Sequence, residues 1–237
     1  MSPTKGKLIA LEGIDGSGKA TQARLLLDKL ILQDISATKI DFPQHGEASS
    51  ALVDMYLTGK FGTANSVDPK AASIFFACDR YSASFGMREN LEKGVWVISD
   101  RYVGSNIGHQ GGKFRSKKQR KEFIKWIFEL KYGTFSLPNA DFNFYLKTPA
   151  KASGQRTLHL TDEEKIARKK AYLGDTKQDI HESDLKHLEN AREAYIDAVE
   201  LFPKEFTIIE CMSGDQMLSP EEIHDKIWQH IKNKFNL

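Results

Sequence analysis

Five short apolar runs recur along the chain, and we interpret each one as a β-strand. The second run stops at Pro43, which lacks the N–H that a strand would donate. The third run is apolar almost throughout, as expected for a strand that is covered on both faces. The predicted strands cover residues 7–11, 38–42, 95–99, 142–146 and 206–209.

Segments with helical spacing of apolar residues separate these runs. Asp68 followed by Pro69 combines a helix N-cap with a proline at the first helical position, and Ser219 followed by Pro220 does the same. Helices are predicted at 19–33, 69–93, 117–131 and from residue 220 onward. Because strands alternate with helices, we predict an α/β fold with a mostly parallel, five-stranded sheet and helices on both faces. The sequence has no repeat and no linker, so residues 1–237 are expected to form a single domain.

A glycine-rich segment joins the first strand to the first helix. Its sequence, Gly13-Ile14-Asp15-Gly16-Ser17-Gly18-Lys19, matches the G-x-x-x-x-G-K phosphate-binding pattern in the required context. Backbone N–H groups and the helix N-terminus would hold phosphate oxygens, and Lys19 would reach the β- and γ-phosphates. The next residue is usually a Ser or Thr that ligates Mg²⁺, but here it is Ala20, followed by Thr21. We therefore expect residues 13–21 to bind a nucleotide phosphate in a P-loop NTPase fold, a property that GTPases, ATPases and kinases share. The alternative is a glycine-rich turn that binds nothing.

Asp100 and Arg101 end the third strand, at the edge where open α/β sheets bind their ligands. A carboxylate suits Mg²⁺, directly or through water, so Asp100 is the candidate metal residue. The guanidinium of Arg101 suits a phosphate, to which it can donate two hydrogen bonds. In isolation, a structural ion pair at a strand end explains the two residues as well.

The composition limits the partners and the compartment. Lys and Arg exceed Asp and Glu by two, and so small a balance does not by itself indicate a nucleic-acid partner. No apolar stretch approaches the roughly 20 residues that span a bilayer, and the chain opens without a signal-peptide pattern. Cys78 and Cys211 lack the spacing of a disulfide framework or a zinc site. We expect a cytoplasmic enzyme without a membrane or nucleic-acid partner.

Four further segments, taken together with the loop, resemble the thymidylate kinase family over nearly the whole chain. The segments are Phe42-Pro43, Phe75-Phe76-Ala77-Cys78-Asp79-Arg80, Asp100-Arg101-Tyr102 with Ser105, Asn106 and Gln110-Gly111-Gly112, and Asp179-Ile180-His181-Glu182 with Tyr195. The resemblance implies a nucleoside-monophosphate kinase that transfers the γ-phosphate of ATP to dTMP in the presence of Mg²⁺. It also implies a homodimer.

The resemblance assigns roles around the acceptor. Arg101 would clamp the monophosphate, and Asp15 would accept a hydrogen bond from the sugar 3′-hydroxyl. Phe76 would stack on the base while Arg80, four residues later on the same helix face, would donate to a base carbonyl. His109 would crowd the sugar 2′ position, where the family often has Tyr. The other expected acceptor contacts are Phe42, Asn106 and Gln110. From the residues alone, Phe76 could be ordinary core and Arg80 part of a solvated helix face.

A highly charged stretch follows the fourth strand, and we interpret residues 150–182 as a helical lid. The loop lacks the arginine that some thymidylate kinases insert there, and members with that arrangement supply the transition-state cation from the lid. Arg156 and Arg168 are the candidates, because guanidinium matches phosphate geometry better than ammonium. With Lys19 and Arg101 they complete the expected catalytic set. The alternative is a solvated basic helix face.

Two other functions are alternatives for a chain with this phosphate loop. A related kinase for another deoxynucleoside monophosphate or nucleoside would differ from a dTMP kinase in only a few side chains. A P-loop switch protein is less well supported, since the sequence lacks the guanine-reading Asn-Lys-x-Asp motif.

Overall fold

A computed structural model describes residues 5–158 and 185–237, except for the side chains of residues 155–158. Its main sheet has five parallel strands in the order β2-β3-β1-β4-β5. The strands are β1 (Leu8–Glu12), β2 (Ala37–Asp41), β3 (Trp96–Asp100), β4 (Phe142–Lys147) and β5 (Thr207–Glu210). The five predicted strands and their parallel arrangement are therefore confirmed. A small antiparallel hairpin, β6 (Met212–Ser213) and β7 (Gln216–Met217), was not predicted.

Helices connect the strands. They are α1 (Lys19–Ile31), α2 (Ala51–Leu57), α3 (Pro69–Glu92), α4 (Val103–Gly111), α5 (Lys117–Phe128), α6 (Ala150–Leu158), α7 (Leu185–Leu201) and α8 (Pro220–Phe235). A 3₁₀ turn (Ala48–Ser50) precedes α2, and a π-helical turn (Glu129–Thr134) follows α5. Asp68 caps α3 as predicted, because its side chain accepts hydrogen bonds from two backbone N–H groups of the first turn. Helices α2, α4 and α7 were not predicted.

The sheet separates two apolar clusters, as the alternation of side chains along a strand requires. Leu8 and Ala10 of β1 lie in a cluster that includes residues of α3, α4, α5 and α7. Ile9 and Leu11 lie in the other cluster, against α1 and α8. The prediction of helices on both faces is confirmed, and β1 is covered on both sides.

The pairing of β1 with β3 brings two functional segments together. Leu11 lies opposite Asp100 in the parallel register, so the loop after β1 and the Asp100-Arg101 pair emerge at the same edge of the sheet. The backbone N–H of Arg101 donates to the carbonyl of Leu11 at 3.0 Å. This edge is where parallel α/β sheets bind their ligands.

Candidate active site

The loop between β1 and α1 has a backbone that requires glycine. Gly13 has φ 146°, and a Cβ atom there would lie 2.7 Å from the Ser17 hydroxyl oxygen and 3.0 Å from the Leu146 carbonyl oxygen. Gly18, directly before the first residue of α1, is left-handed with φ 95°. Glycine reaches these angles without a steric penalty. The loop can therefore fold tightly over the N-terminus of α1, the position that favours bound phosphate.

Lys19 is held inside this loop. Its side chain is 5% exposed, and Nζ donates to the carbonyl of Ile14 at 2.8 Å. Burial lowers the pKa of Lys19 to about 8, and Arg101 lowers it further, against the opposing attraction of nearby carboxylates. A buried cation with one carbonyl partner has donor capacity left for an anion.

Arg101 and Asp15 form an ion pair across the loop. Burial alone would raise the pKa of Asp15, but the adjacent charge of Arg101, with a further contribution from Lys19, outweighs burial and holds that pKa well below its usual range. Arg101 also has a left-handed backbone with φ 67°, a conformation that costs a non-glycine residue on the order of 1 kcal/mol. The local hydrogen bonds keep it there, since the Ser99 hydroxyl donates to the Arg101 carbonyl at 2.6 Å.

Asp100 lies next to this cluster with an unused acceptor. Its Oδ1 atom is buried and has no hydrogen-bond partner among the described residues. A buried carboxylate oxygen is costly unless it is paired, so this atom fits a cation or a water bound to one. The predicted metal residue is thus placed at the carboxyl end of β3 with an oxygen to spare.

Arg80 is the buried cation of a second cluster, on α3. It is 1% exposed, so the alternative of a solvated helix face is wrong. Its Nη1 donates to the Asn106 side-chain oxygen at 2.8 Å, and its guanidinium lies 5.4 Å from the centre of the Phe42 ring. Its Nε has no hydrogen-bond partner among the described residues. Three predicted acceptor residues therefore meet at one point.

Phe76 and Gln110 both contact Tyr56. The Phe76 ring is half-buried and meets the Tyr56 ring edge-on, with centroids 6.2 Å apart. Gln110 donates to the Tyr56 hydroxyl at 3.4 Å, and its own side-chain oxygen is buried without a partner among the described residues. Lys113 donates to the same hydroxyl at 2.8 Å. Phe76 packs on the small cluster around Tyr56, while its partly exposed ring leaves room for contact with a ligand.

Comparisons with known proteins agree on one family. A sequence profile of the thymidylate kinase family matches residues 11–227. The chain belongs to the thymidylate kinase family. A probable thymidylate kinase from Pyrococcus abyssi is 28% identical over 234 residues, which cover 97% of this chain and 98% of that protein. A thymidylate kinase from Plasmodium falciparum is 28% identical over 153 residues, 65% of this chain and 67% of the relative. Other alignments span about half the length of the relative.

The solved structure of a thymidylate kinase from Candida albicans matches with a TM-score of 0.67 and 23% identity, over 98% of this chain and 93% of that one. At this identity the match supports the fold. The comparisons confirm the predicted family and the enzyme class of a nucleoside-monophosphate kinase. The predicted P-loop fold with a five-stranded parallel sheet is confirmed as well.

The side chains of the two predicted lid cations are not among those that the structure describes. Arg168 lies outside the described residues. Arg156 belongs to α6 (Ala150–Leu158), but its side chain is not described. The predicted lid region, residues 150–182, lies mostly outside the described part of the chain, so its role stays a prediction.

Glu12 is a site residue that was not predicted from the sequence. It ends β1, directly before the loop, and is fully buried. Its carboxylate accepts hydrogen bonds from the Tyr102 backbone N–H at 2.8 Å, the Ser105 hydroxyl at 2.8 Å and the Tyr195 hydroxyl at 3.1 Å. A buried carboxylate needs such donors to offset its desolvation. The available signal was an acidic residue ending an otherwise apolar strand, immediately before a phosphate loop.

Proposed function

We propose that the protein transfers the γ-phosphate of ATP to dTMP, giving ADP and dTDP, by direct in-line displacement. The observation that carries this proposal is the meeting of Lys19, Asp15 and Arg101 at one edge of the sheet, with the buried Arg80–Asn106 pair between α3 and α4. Lys19 belongs to the loop for the donor phosphates, and Arg101 ends the neighbouring strand. Two phosphate-binding cations on adjacent strand ends suit a reaction between two phosphates.

Positioning and charge stabilisation account for most catalysis in phosphoryl transfer. Lys19 and the loop N–H groups would hold the β- and γ-phosphates of ATP. Arg101 would hold the acceptor phosphate in line with the γ-phosphate. Asp15 would orient the guanidinium of Arg101 and accept a hydrogen bond from the sugar 3′-hydroxyl. The acceptor phosphate oxygen attacks, the bond to the β–γ bridging oxygen breaks, and no covalent enzyme intermediate forms.

Mg²⁺ fits the residues present. Among the described residues no group of three His, Cys, Asp or Glu side chains gathers as a metal site, but Mg²⁺ at nucleotides is held by one or two carboxylates together with phosphates and waters. Asp100 supplies the free carboxylate oxygen. The ion would neutralise charge on the transferred phosphoryl group, and with Ala20 in place of a hydroxyl residue one more water would complete its coordination. Arg156 and Arg168 are proposed as the lid cations that join it.

The residues around Arg80 support a pyrimidine acceptor. Arg80 is buried and fixed by Asn106, so its remaining donors can serve a base carbonyl but cannot swing away. Phe42 and Asn106 contact Arg80. Phe76 and Gln110 both contact Tyr56, and the half-buried Phe76 ring would stack on the base. A base with carbonyl oxygens on its edge matches these donors. A kinase for another deoxynucleoside monophosphate is the second candidate, because His109 replaces the tyrosine common in the family.

We further propose that the enzyme is a homodimer built on α3. Ile74, Tyr81 and Phe85 are exposed on one side of this helix, spaced for a continuous apolar stripe. Helix α2, which packs against α3, adds exposed Leu52 and Met55. A contiguous exposed apolar patch is typical of a protein interface.

We propose the cytoplasm as its compartment. Among the described residues, neither Cys78 nor Cys211 forms a disulfide, as is common in a reducing compartment. No helix in the described part of the chain is long and apolar enough to cross a bilayer.

The test is coupled ADP release with dTMP, dUMP, dCMP, dGMP and UMP as acceptors at fixed ATP. The proposal predicts the highest kcat/KM with dTMP, weaker use of dUMP and little use of dCMP or dGMP. A preference for a purine or cytosine acceptor would assign the enzyme to the second candidate function. ADP release that is independent of any acceptor would contradict a kinase altogether.

A further inference from the structure

A chain of polar contacts leaves the proposed acceptor site through two histidines. Arg101 Nη1 lies 3.3 Å from Nε2 of His109, and Nδ1 of His109 lies 3.2 Å from Nε2 of His187. The planes of the two imidazole rings are nearly parallel, inclined by 24°, and their centroids lie 5.4 Å apart. His187 belongs to the first turn of α7, 78 residues after His109 in the chain.

The chemistry of the first contact fixes the protons along this chain. A guanidinium N–H can only donate, so Nε2 of His109 must accept and the ring must be neutral there. Its proton then resides on Nδ1, which donates to Nε2 of His187. The proton of the neutral His187 ring is consequently on its own Nδ1. These two contacts together require the Nδ1–H tautomer at both histidines, with Arg101 setting the direction of the two hydrogen bonds.

Close packing between α4 and α7 places His187 next to His109. A Cβ atom on Gly108 would lie 2.3 Å from the Tyr195 ring, and one on Gly112 would lie 2.8 Å from the backbone N of Ala191. These glycines let the two helices approach until their backbones touch. His187 lies four residues before Ala191, one helical turn along the same face. The position of the ring is thus set by the helix contact.

We propose that His187 is a positioning residue that fixes the His109 ring and, through it, the guanidinium of Arg101, and that it thereby contributes to the choice between deoxyribose and ribose acceptors. This inference rests on the proposed function, in which Arg101 binds the acceptor phosphate and His109 borders the sugar. A His109 ring without its partner on Nδ1 can turn about its side-chain bonds. Turning would remove both the acceptor for Arg101 and the bulk next to the sugar 2′ position.

The kinetic test compares His187→Ala, His187→Gln and the control Glu189→Ala, an exposed residue of the same helix. Loss of one hydrogen bond in the chain predicts a KM for dTMP raised about two- to twelvefold, the range for roughly 0.5–1.5 kcal/mol, with the KM for ATP unchanged. The kcat/KM ratio of dUMP to UMP should fall. Gln keeps an acceptor near the position of Nε2, so His187→Gln should recover most of both losses, and Glu189→Ala should match the wild type.

His187→Ala made in a His109→Ala background should cause little further change, because the link is already broken. Equal effects on the KM values of dTMP and ATP, an unchanged dUMP to UMP ratio, or failure of Gln to rescue would overturn the inference. If the wild type phosphorylates dTMP and His187→Ala behaves like it, only this inference fails. A wild type that phosphorylates no monophosphate would overturn the proposed function and this inference together.

A second measurement does not depend on any variant keeping its activity. Long-range ¹H–¹⁵N NMR of the imidazole nitrogens in the wild-type enzyme reports the tautomer of each histidine, with signals assigned through His187→Gln and His109→Gln. The expected result is the Nδ1–H form for both rings near neutral pH. The Nε2–H form, or a mixture of tautomers, at either ring would overturn the inference.

Discussion

The protein shifts the pKa values of Lys19 and Arg101 in opposite directions. Burial lowers the pKa of Lys19 to about 8, whereas the carboxylates of Asp15 and Asp100 more than offset the burial of Arg101 and raise its pKa above the ordinary value. The arginine therefore stays charged at every pH of interest. Lys19, in contrast, loses its proton as the pH rises through about 8.

Binding of ATP by the ligand-free enzyme should consequently weaken above pH 8. The free enzyme loses the Lys19 proton as the pH rises through about 8, while the ATP complex needs the ammonium, so binding must take up a proton. The dissociation constant of a non-hydrolysable ATP analogue, measured by calorimetry from pH 7 to 9.5, should rise toward a limit of about tenfold per pH unit. Lys19→Met should bind weakly with no such rise. A flat profile for the wild type would contradict the assigned role.

Arg101→Ala should weaken the acceptor much more than the donor. The substitution removes charged hydrogen bonds to the acceptor phosphate, each worth roughly 1.5–3 kcal/mol, so the KM for dTMP should rise at least about tenfold. The KM for ATP should change little. Arg101→Lys should fall between the two, since an ammonium keeps the charge but loses the planar fork. An equal rise in the KM values of dTMP and ATP would indicate that Arg101 has only a structural role, as the ion-pair partner of Asp15.

The sequence was enough to find site residues that lie in local motifs, such as the phosphate loop and the Asp100-Arg101 pair. It did not reveal Glu12 or His187, because their roles arise from contacts between distant parts of the chain. The hydrogen bond from Tyr195 to Glu12 spans 183 residues. No local pattern encodes such a pairing.

At the scale of the elements, α4 and α7 form the most extensive helix pair that borders the site. Helix α4 contains three glycines with serine and asparagine, a composition of low helix propensity, which explains why it was not predicted. Its stability comes from packing, because the glycines let α7 approach closely. Helix α7 had a weak signal in the spacing of its buried apolar residues, Leu188, Ala191, Ala194, Tyr195 and Ala198.

Gly108→Ala should therefore destabilise the protein although alanine is the better helix former. The added methyl would lie 2.3 Å from the Tyr195 ring, and such overpacking costs roughly 1–3 kcal/mol. In a chain of this size each kcal/mol lowers Tm by about 2–4 °C. The control is Gly86→Ala on α3, where nothing lies within 4 Å of the new methyl, and this variant should be neutral or stabilised. Equal Tm values for both variants would contradict the tight α4–α7 contact.

At the scale of the whole molecule, the fold could be predicted from the alternation of strands and helices along the sequence. The exposed apolar stripe on α3 could not. The repeat of apolar positions along α3 predicts a helix, but the side that faces the core is decided by how the helix sits on the sheet. Ile74, Tyr81 and Phe85 lie on the side away from it. Their exposure became evident only with the tertiary structure.

Phe85→Lys should convert the proposed homodimer to a monomer. A charge in the apolar stripe would have to be buried without a partner on association. Light scattering after size exclusion should report a dimer for the wild type and a monomer of 26.8 kDa for the variant. Leu32→Lys, at an exposed leucine just after α1, is the matched control and should remain dimeric. A monomeric wild type, or a dimeric Phe85→Lys, would exclude this interface.

The most direct test of the central claim follows the phosphoryl group itself. Wild-type enzyme is mixed with [γ-³²P]ATP, Mg²⁺ and dTMP, and the products are separated by thin-layer chromatography. The label should move into dTDP, and Lys19→Met, with an unchanged Tm, should lower the rate at least about a hundredfold, as expected for loss of a group that stabilises transition-state charge. Label released as inorganic phosphate at the same rate with and without dTMP, or near wild-type transfer by Lys19→Met, would contradict the account.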